Sequence, residues 1–462
     1  MKPLLIAEAA TLLFIFVLYL NLPLVAMEFH GVPWLLAASA PVLLVLPLGD
    51  RLIRLREKII IDQTLVLMLL WYLPALIAST IFVKDTGIAL NEIGNFLVEG
   101  MVLYLLVINV IRTLPTLKRS IWVLLLAGGL LGGLSVYQEM TQSYENSYGG
   151  LAQRSTELNM NDVDFDVYSG SRRAGGPLGT ENRYAQILIV LLPLALGLFY
   201  AEWSWKAKFS AAVAGAFILG GIVLTFSRGA FLTLVGLLLI ITLLRYVRPY
   251  QLIGAAVFVS VLICASLPEY VVRMSSLAGL SSFLSTKDND VRDVDGALRG
   301  RFAENVAALR VFGEHPVLGV GPGQFPRFYS ARYGTEVGTK RLWTNRRGHN
   351  LYLEMAAETG IVGIAAFMTM VLATLYRLWQ ERQYWSQTRP ELSHMATAFL
   401  LSIMGYLGTA AFLHLSYQRY YWFLLALAGA AIQVLRTESL QNEFSEQPTV
   451  QQTTLLPQMS SS

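Results

Sequence analysis

The chain has 462 residues, of which 55% are hydrophobic and only 14% are charged. Soluble domains are about one quarter charged, so this composition excludes an ordinary soluble fold. The formal net charge of +4 is too small to indicate a nucleic-acid partner. A single cysteine, Cys264, excludes an intrachain disulfide and metal sites built from several cysteines.

Apolar segments recur along almost the whole chain, and many have the roughly 17–25 residues needed to cross a hydrocarbon core. The first segment begins like a signal peptide, but its apolar part is too long and lacks a convincing A-x-A cleavage site, so we expect an uncleaved span. The sequence therefore predicts an all-α polytopic membrane protein with about twelve transmembrane helices. The predicted spans are 4–27, 33–49, 64–83, 96–113, 120–137, 183–201, 208–226, 229–245, 250–267, 350–376, 395–415 and 420–436.

Basic residues between the spans predict the orientation, because Lys and Arg concentrate in cytoplasmic connections. The alternate short connections hold little more than Lys84, Arg228 and Arg419. The basic set comprises Arg51, Arg54, Arg56, Lys58, Arg112, Lys118, Arg119, Lys206, Lys208, Arg245, Arg248, Arg377, Arg382 and Arg389. Both termini are therefore predicted to be cytoplasmic.

Two long connections fall on the extracytoplasmic side, where translocated domains escape the charge rule. The larger one separates the ninth span from the tenth and is predicted to form a subdomain on the membrane surface. The predicted organisation is spans 1–9 within 1–267 (with the loop 138–182), the loop subdomain 268–349, spans 10–12 within 350–436, and a disordered cytoplasmic tail over 437–462.

The larger loop contains an amphipathic helix candidate, Gly300 to Phe312, with Phe302, Val306 and Leu309 on one stripe. Two acidic clusters could bind a divalent ion, but solvated loop is the simpler interpretation, since Arg299 stands where an EF-hand loop needs an acidic twelfth residue. The clusters are Asp162, Asp164 and Asp166, and Asp288, Asp290, Asp293 and Asp295.

The stretch "RRGHNLYLEMAAETGIVG" places His349 at the start of the tenth predicted span, after two cations and a glycine. Arg228, in "LTFSRGAF", lies in a connection too short to be a free loop, so it must sit at the extracytoplasmic interface. Arg301 lies in the loop helix, and Arg173 precedes the sixth span. The basic residues predicted on this side are Arg172, Arg173, Arg228, Arg299, Arg301, Arg346 and Arg347.

These residue types suit an anionic lipid substrate. A guanidinium group matches phosphate oxygens bidentately, and about two arginines would neutralise a diphosphate. Helix N-termini add N–H donors at the same level. A histidine titrates near neutral pH and can act as general base on a hydroxyl. The pattern predicts group transfer from a lipid-linked diphosphate. The diphosphate would be the leaving group, and arginine would stabilise the charge that develops on it.

Each residue also has a simpler interpretation. Interfacial arginines commonly reach toward lipid headgroups without doing chemistry, and a histidine at a helix start can be a polar boundary residue. Glu358 lies roughly 180° from His349 on an unbroken helix, so it cannot orient that ring directly. Glu8 and Glu99, inside predicted spans, are either functional carboxylates or structural hydrogen-bonding groups.

The segment from about Arg172 to Gly363 resembles the O-antigen ligase and O-antigen polymerase superfamily. "RRGHNLYLEMAAETGIVG" resembles the family's histidine motif, and "GRFAENVAALRVFGEHPVLGVGPGQF" resembles the segment before it. "RRAGGPLGTENRYAQ" and "LTFSRGAF" are similar to further family segments in the expected order. The family often has a tryptophan a few residues after the loop arginine, where this chain reads "FAENV".

The resemblance implies a metal-independent, inverting glycosyltransferase without a cofactor, in the bacterial inner membrane. It would move a glycan from undecaprenyl diphosphate to an acceptor hydroxyl, such as that of lipid A–core, at the periplasmic face. His349 matches the motif histidine, as base or acceptor-positioning group. Arg228 and Arg301 match the arginines expected to bind the diphosphate, and Arg173 and Arg347 could extend that surface.

Three alternatives stay open. A polymerase would use the same diphosphate site with a different acceptor, and a protein O-glycosyltransferase would share the histidine segment. A small-anion transporter would place its charges near the bilayer midplane on broken helices, along a pathway lined by Glu8 or Glu99.

Overall fold

The structure, a computed structural model, describes residues 2–32, 42–154, 173–275, 296–329, 347–414 and 418–446. Over these residues the fold is almost entirely helical, with one small antiparallel sheet. The helices are α1 (Lys2–Tyr19), α2 (Leu22–His30), α3 (Val42–Ile53), α4 (Gln63–Phe82), α5 (Thr86–Val110), α6 (Leu114–Met140), α7 (Glu181–Ala201), α8 (Trp205–Val223), α9 (Arg228–Leu243), α10 (Pro249–Ser266), α11 (Pro268–Ser275), α12 (Gly296–Glu314), α13 (Phe325–Phe328), α14 (Leu351–Thr388), α15 (Pro390–Ala410) and α16 (Gln418–Glu446). The strands are β1 (Gln153–Arg154) and β2 (Ala174–Gly176).

Eight of the described helices are long and apolar enough to cross a membrane, namely α4, α5, α6, α7, α8, α14, α15 and α16. Helices α1 and α2 pass the same test together, as a pair bent by 56°. The bend falls at Asn21, whose backbone is left-handed (φ 54°) ahead of Pro23. Every predicted span overlaps a described helix, but α3, α9 and α10 do not meet the same criteria, so the number twelve is not confirmed. Helix α16 runs to Glu446, past the predicted end of the last span.

Contacts between the connections divide them into two groups, one at each end of the bundle. At one end, Gln324 donates to the carbonyl of Asp85 (3.0 Å) and Arg173 donates to that of Thr225 (3.0 Å). We call this the site end. It comprises 83–92, 141–154, 173–182, 224–230, 296–329, 347–350 and 411–414. The other, the basic end, comprises 50–62, 110–119, 201–206, 244–250, 377–391 and 436–443, where the contacts include Arg112 with Glu57 (2.8 Å) and Arg382 with the Leu244 carbonyl (3.2 Å).

Helix α14 is interrupted nine residues after its start, at Gly360, whose backbone (φ 64°, ψ −166°) is not helical. Such a break leaves backbone N–H and C=O groups without partners inside the helix. The loop segment 316–321 supplies those partners. The hydrogen bonds are Ile361 N to Pro316 O (2.8 Å), Val320 N to Ala357 O (3.0 Å) and Gly321 N to Glu358 O (2.8 Å).

Glycine is required where these two backbones approach. Gly319 has φ +70°, and a Cβ there would lie 2.3 Å from the carbonyl carbon of Glu358. Gly360 has the same constraint from the other side, since its Cβ would lie 2.2 Å from the carbonyl oxygen of Val317. The segment 316–321, which includes the first residues of "GVGPGQF", is thus held against the break in α14 by backbone hydrogen bonds. We call this contact the clamp; it fixes the position of the histidine motif relative to the loop.

Candidate functional site

His349 lies one residue before the N-cap of α14. The cap is Asn350, whose side-chain oxygen accepts the backbone N–H groups of Tyr352 (3.0 Å) and Leu353 (3.1 Å). The ring Nδ1 of His349 lies 2.5 Å from Oε2 of Glu304 in α12. The Glu304 side chain is 1% exposed, whereas that of His349 is 32% exposed. One ring nitrogen is therefore held against the interior while part of the ring stays accessible.

Helix α12 packs on α14 through a face of small residues. Phe302 (51% exposed) and Leu309 (53% exposed), which the sequence puts on an apolar stripe, point away from that contact. The buried residues of the helix are Ala303, Glu304, Ala307, Ala308 and Val311. Small side chains allow two helices to approach closely. Arg301 is partly buried and lies three residues before Glu304, so the two side chains share one side of the helix, next to His349.

Arg228 is the first residue of α9. Its N-cap is Ser227, whose hydroxyl accepts the backbone N–H of Ala230 (3.4 Å) and donates to Oδ1 of Asn182 (2.8 Å). A cation at a helix N-terminus opposes the helix dipole, so helix stability does not explain this arginine. Together with the free N–H groups of the first turn it makes an end suited to an anion.

The α9 start lies beside the histidines. A Cβ added at Gly229 would meet the Phe412 side chain at 3.0 Å, so the backbone next to Arg228 lies directly against that ring. Two residues further on, the His414 ring lies 6.1 Å from the His349 ring, edge to face at 89°. Arg228 is thus the chain neighbour of a residue that packs on Phe412, two residues before His414, and Arg301 lies three residues before Glu304.

Arg173 braces the connection before α9. Its Nε donates to the carbonyl of Thr225 (3.0 Å), and its guanidinium forms an ion pair with the fully buried Glu181. The next residue, Ala174, donates its N–H to the carbonyl of Leu224 (2.9 Å). These contacts hold the turn that carries Arg228. They give Arg173 a structural role next to the site, whether or not it also contacts a substrate.

Arg347 lies two residues before His349 and is turned toward α5. Its Nη2 donates to Oε1 of Glu92 (2.9 Å). Burial lowers the pKa of Arg347, but Glu354, Glu92 and Glu358 outweigh it and raise that pKa above its ordinary value. Arg347 therefore keeps its proton and its positive charge at the start of the motif.

His414 has a pKa well below its ordinary value. Burial is the main cause, followed by the charges of Arg183 and Arg347 and by His349. At neutral pH this ring is uncharged. The Arg183 side chain that contributes is itself buried in α7 and donates to Oε1 of Gln186 (3.2 Å).

A cavity of about 50 Å³ adjoins the start of α14, with room for a few water molecules. Its polar lining includes Glu92, Arg347, Glu354 and Glu358. Oε2 of Glu354 is buried and has no hydrogen-bond partner among the described residues. The aromatic part of its wall comes from π-helical turns, with Tyr72 in Met68–Tyr72 and Phe96 in Phe96–Val102.

The structure agrees with the prediction that Glu358 does not orient His349. The break in α14 comes only after Glu358, and this carboxylate accepts the backbone N–H of Phe325 (3.2 Å) and does not meet His349. The partner that His349 does have, Glu304, was missed. Its only sequence signal was a carboxylate in "FAENV", the stretch that departs from the family pattern. Arg183 and Glu92 were also missed, because both lie inside predicted spans or their flanks and gain their neighbours only in the fold.

Among the described residues no group of three or more His, Cys, Asp or Glu side chains could hold a metal ion. The two acidic clusters predicted as loop or ion site lie outside the described residues, as do Arg172 and Arg346. The side chain of Arg299 is also outside them. The roles predicted for His349, Arg228, Arg301, Arg173 and Arg347 remain predictions, since neighbourhood alone does not test a role.

Residues 213–368 match the family model described as O-antigen ligase. The match contains Arg228, Arg301, Glu304, Arg347 and His349, and it excludes Arg173, Arg183 and His414. It confirms the resemblance of this chain to the O-antigen ligase superfamily. A comparison with curated proteins finds no match.

Proposed function

We propose that this chain, which contains the domain of O-antigen ligases, is a membrane glycosyltransferase that moves a polysaccharide from undecaprenyl diphosphate to an acceptor hydroxyl such as that of lipid A–core. One observation carries the proposal. His349, whose ring is partly open to solvent, is held by a buried carboxylate at the same end of the bundle as Arg228 and Arg301.

The reaction is a single displacement. His349 takes the proton of the acceptor hydroxyl, and the hydroxyl oxygen forms a bond to the anomeric carbon of the glycan. The bond between that carbon and the diphosphate oxygen breaks, and the diphosphate leaves with the electron pair. Attack on the face opposite the leaving group inverts the anomeric centre.

The arginines supply the charge stabilisation that this step needs. Negative charge grows on the leaving diphosphate, and Arg228 at a helix N-terminus and Arg301 on α12 lie where they can bind it. Fixed guanidinium groups fill the role that a divalent ion has in other phosphate chemistry. The proposal is therefore a metal-independent transfer, in which Arg173 and Arg347 shape the surrounding basic surface.

The membrane placement follows from the distribution of cations. The basic end carries the residues that the positive-inside rule assigns to the cytoplasm. We therefore place the protein in a bacterial inner membrane, with both termini cytoplasmic and the site end periplasmic. A lipid-linked donor would then reach the site from the outer leaflet.

A broken helix beside buried carboxylates is also what the transporter alternative requires. Here the break in α14 is filled by the loop segment 316–321, and the cavity beside it holds only about 50 Å³. Glu8 binds Arg119 (2.5 Å) at the basic end, and Glu99 lies 3.8 Å from Arg419. These two carboxylates do not share a pathway among the described residues, which favours transfer over transport.

The test is transfer in vitro. Purified protein is mixed with an undecaprenyl diphosphate glycan and lipid A–core in the presence of EDTA, and the glycosylated lipid is quantified. Wild type is expected to make product, and His349→Ala to lose at least about 10²-fold, the range of general base catalysis. The matched control is His30→Ala, because His30 is an exposed histidine at the same end, whose Nε2 lies 3.3 Å from the carbonyl oxygen of Gly149.

Each other outcome redirects the assignment. Lengthening of the lipid-linked glycan without acceptor modification indicates a polymerase. Product formed equally by wild type and His349→Ala contradicts the role of His349. No turnover with lipid A–core or with a lipid-linked acceptor contradicts both transfer proposals, and protein acceptors and anion flux would then be tested.

A further inference from the structure

We infer that Glu304 is the positioning residue of the reaction: its carboxylate accepts the Nδ1 proton of His349 and thereby leaves Nε2 free to take the proton of the acceptor hydroxyl. This inference rests on the proposed function and adds to it the group that selects the reactive nitrogen. Glu304 acts through His349 and does not touch the reacting atoms.

The contact between the two side chains is taken as a hydrogen bond from an imidazole N–H to a carboxylate. Nδ1 of His349 and Oε2 of Glu304 are 2.5 Å apart. An ionised carboxylate only accepts hydrogen bonds, so opposite an ionised Glu304 the proton between the two atoms belongs to the histidine. A neutral imidazole has one N–H, and when it is on Nδ1 the lone pair is on Nε2. A base oriented by a third group is the general arrangement of activated nucleophiles.

Glu304 and His349 differ in burial, and this difference orients the imidazole ring. Glu304 is 1% exposed, so water competes little for its carboxylate, whereas the His349 side chain is 32% exposed. The fixed nitrogen therefore faces the buried carboxylate, and we assign the accessible part of the ring to the edge that carries Nε2. When His349 takes a proton, the adjacent carboxylate stabilises the imidazolium.

Two other acidic groups near the start of α14 have partners of their own. Glu92 binds Arg347 (2.9 Å), and Glu358 accepts the backbone N–H of Phe325 (3.2 Å). On its other side His349 meets the uncharged ring of His414. Glu304 is thus the carboxylate that contacts His349 directly in the fold.

A purely structural role would be to dock α12 on α14, but that docking has its own apolar support. A buried cluster joins the helix to the loop segment and to α14; it consists of Ala307, Ala308, Val311, Val320, Phe325, Phe328, Tyr329 and Ala357. Replacement of Glu304 by the isosteric glutamine leaves this cluster unchanged. The Glu304→Gln variant is therefore expected to fold, which separates orientation from docking.

The first measurement is steady-state transfer by Glu304→Gln with lipid-linked glycan and acceptor both varied. We expect kcat to fall about 10²-fold or more, as for loss of general base catalysis, while KM for the lipid-linked donor stays within about threefold. The matched control is Glu314→Gln, which removes the same charge from an exposed position on the same helix and should leave kcat unchanged.

The second measurement does not depend on the folding of Glu304→Gln. Ring nitrogens are labelled with ¹⁵N in the five histidines, and the His349 signals are identified by their loss in His349→Ala. Wild type should show the Nδ1–H tautomer, and Glu304→Gln a mixture or a switch to Nε2–H. A wild-type His349 that carries its proton on Nε2 overturns the inference even if Glu304→Gln fails to fold.

The failures of the two proposals are distinguishable. A wild type that makes no product contradicts the proposed function. An active wild type with unchanged kcat in Glu304→Gln contradicts only the role of Glu304. A raised donor KM with unchanged kcat also contradicts it, because that pattern assigns Glu304 to the placement of Arg301 on α12.

Discussion

The two ends of the helical bundle both carry arginines, but their surroundings differ. At the basic end the cations lie in short connections, and their carboxylate partners keep some exposure, from 17% for Asp50 to 33% for Glu57. The paired cations range from 11% exposed for Arg112 to 56% for Arg119 and 57% for Arg54. At the site end the charged partners are buried, as Glu304 and Glu181 are. Exposed ion pairs contribute little to stability, about 0–1 kcal/mol each.

The difference identifies the end of the bundle at which charged side chains are buried despite the loss of their hydration. Buried charged groups lose hydration, and the loss can exceed the attraction between partners. Inside a membrane-spanning segment such groups indicate a functional site by default. Membrane orientation alone can explain the basic end, and the proposed transfer would explain the site end. The comparison therefore predicts that equivalent substitutions at the two ends have very different effects.

The largest effect is expected for Arg228→Ala. Loss of one group that stabilises the leaving charge should lower kcat/KM for transfer by about 10²–10³-fold. The paired substitution at the basic end, Arg119→Ala, should leave kcat/KM within about threefold, because it removes only an exposed ion pair. The measurement is product formation at matched amounts of folded protein. Equal losses in the two variants would remove the distinction between the ends.

A smaller effect, on stability, is expected for Gly319→Ala. The new Cβ would lie 2.3 Å from the backbone of Glu358, at a positive φ, so the clamp on α14 must open or strain. We expect a loss of about 3 kcal/mol or more in the free energy of unfolding. The control is Gly236→Ala in α9, where nothing lies within 4 Å of the added Cβ. Thermal unfolding in detergent compares the two, and similar midpoints would show that the clamp does not support the fold.

The smallest effect is expected from His414 and concerns acid stability. Its folded pKa is lowered, so between its ordinary value near 6.5 and its folded value the unfolded chain binds a proton that the native state does not. Stability that is present above pH 6.5 is therefore lost as the pH falls, by at most about 1.4 kcal/mol per pH unit. His414→Gln removes this dependence.

Denaturation midpoints at pH 7 and pH 5 test the sign. The drop between the two values should be smaller in His414→Gln than in wild type, while the control His30→Gln should keep the wild-type drop. A larger drop in His414→Gln would mean that His414 is charged in the fold, as a third cation beside Arg183 and Arg347.

The fold could be predicted wherever one segment decides its own structure. Apolar length and turn residues located the helices, and the histidine motif located the site end. The break at Gly360 could not be predicted, because a single glycine in an apolar run is compatible with a continuous helix. The break becomes favourable only when the backbone of 316–321 forms hydrogen bonds with the N–H and C=O groups that the break leaves open.

Arg228, Arg301 and His349 stay predictions as site residues, and the sequence did not indicate that Glu304 contacts His349. Helical spacing says which residues share a face, and it does not say which distant residue that face meets. The same limit explains α12, where Phe302 and Leu309 suggested the packing stripe. The structure buries Ala303 and Ala307, since a close approach of two helices favours small side chains.

The interrupted helix also constrains how the protein is made. The first nine residues of α14 cannot settle among lipids alone, because the break would expose backbone hydrogen-bonding groups to hydrocarbon. The segment 316–321 that completes them is synthesised earlier and must already lie on the correct side of the membrane when α14 arrives. The loop segment thus supplies the hydrogen bonds that complete the helix after it, and the same contacts position the histidine motif.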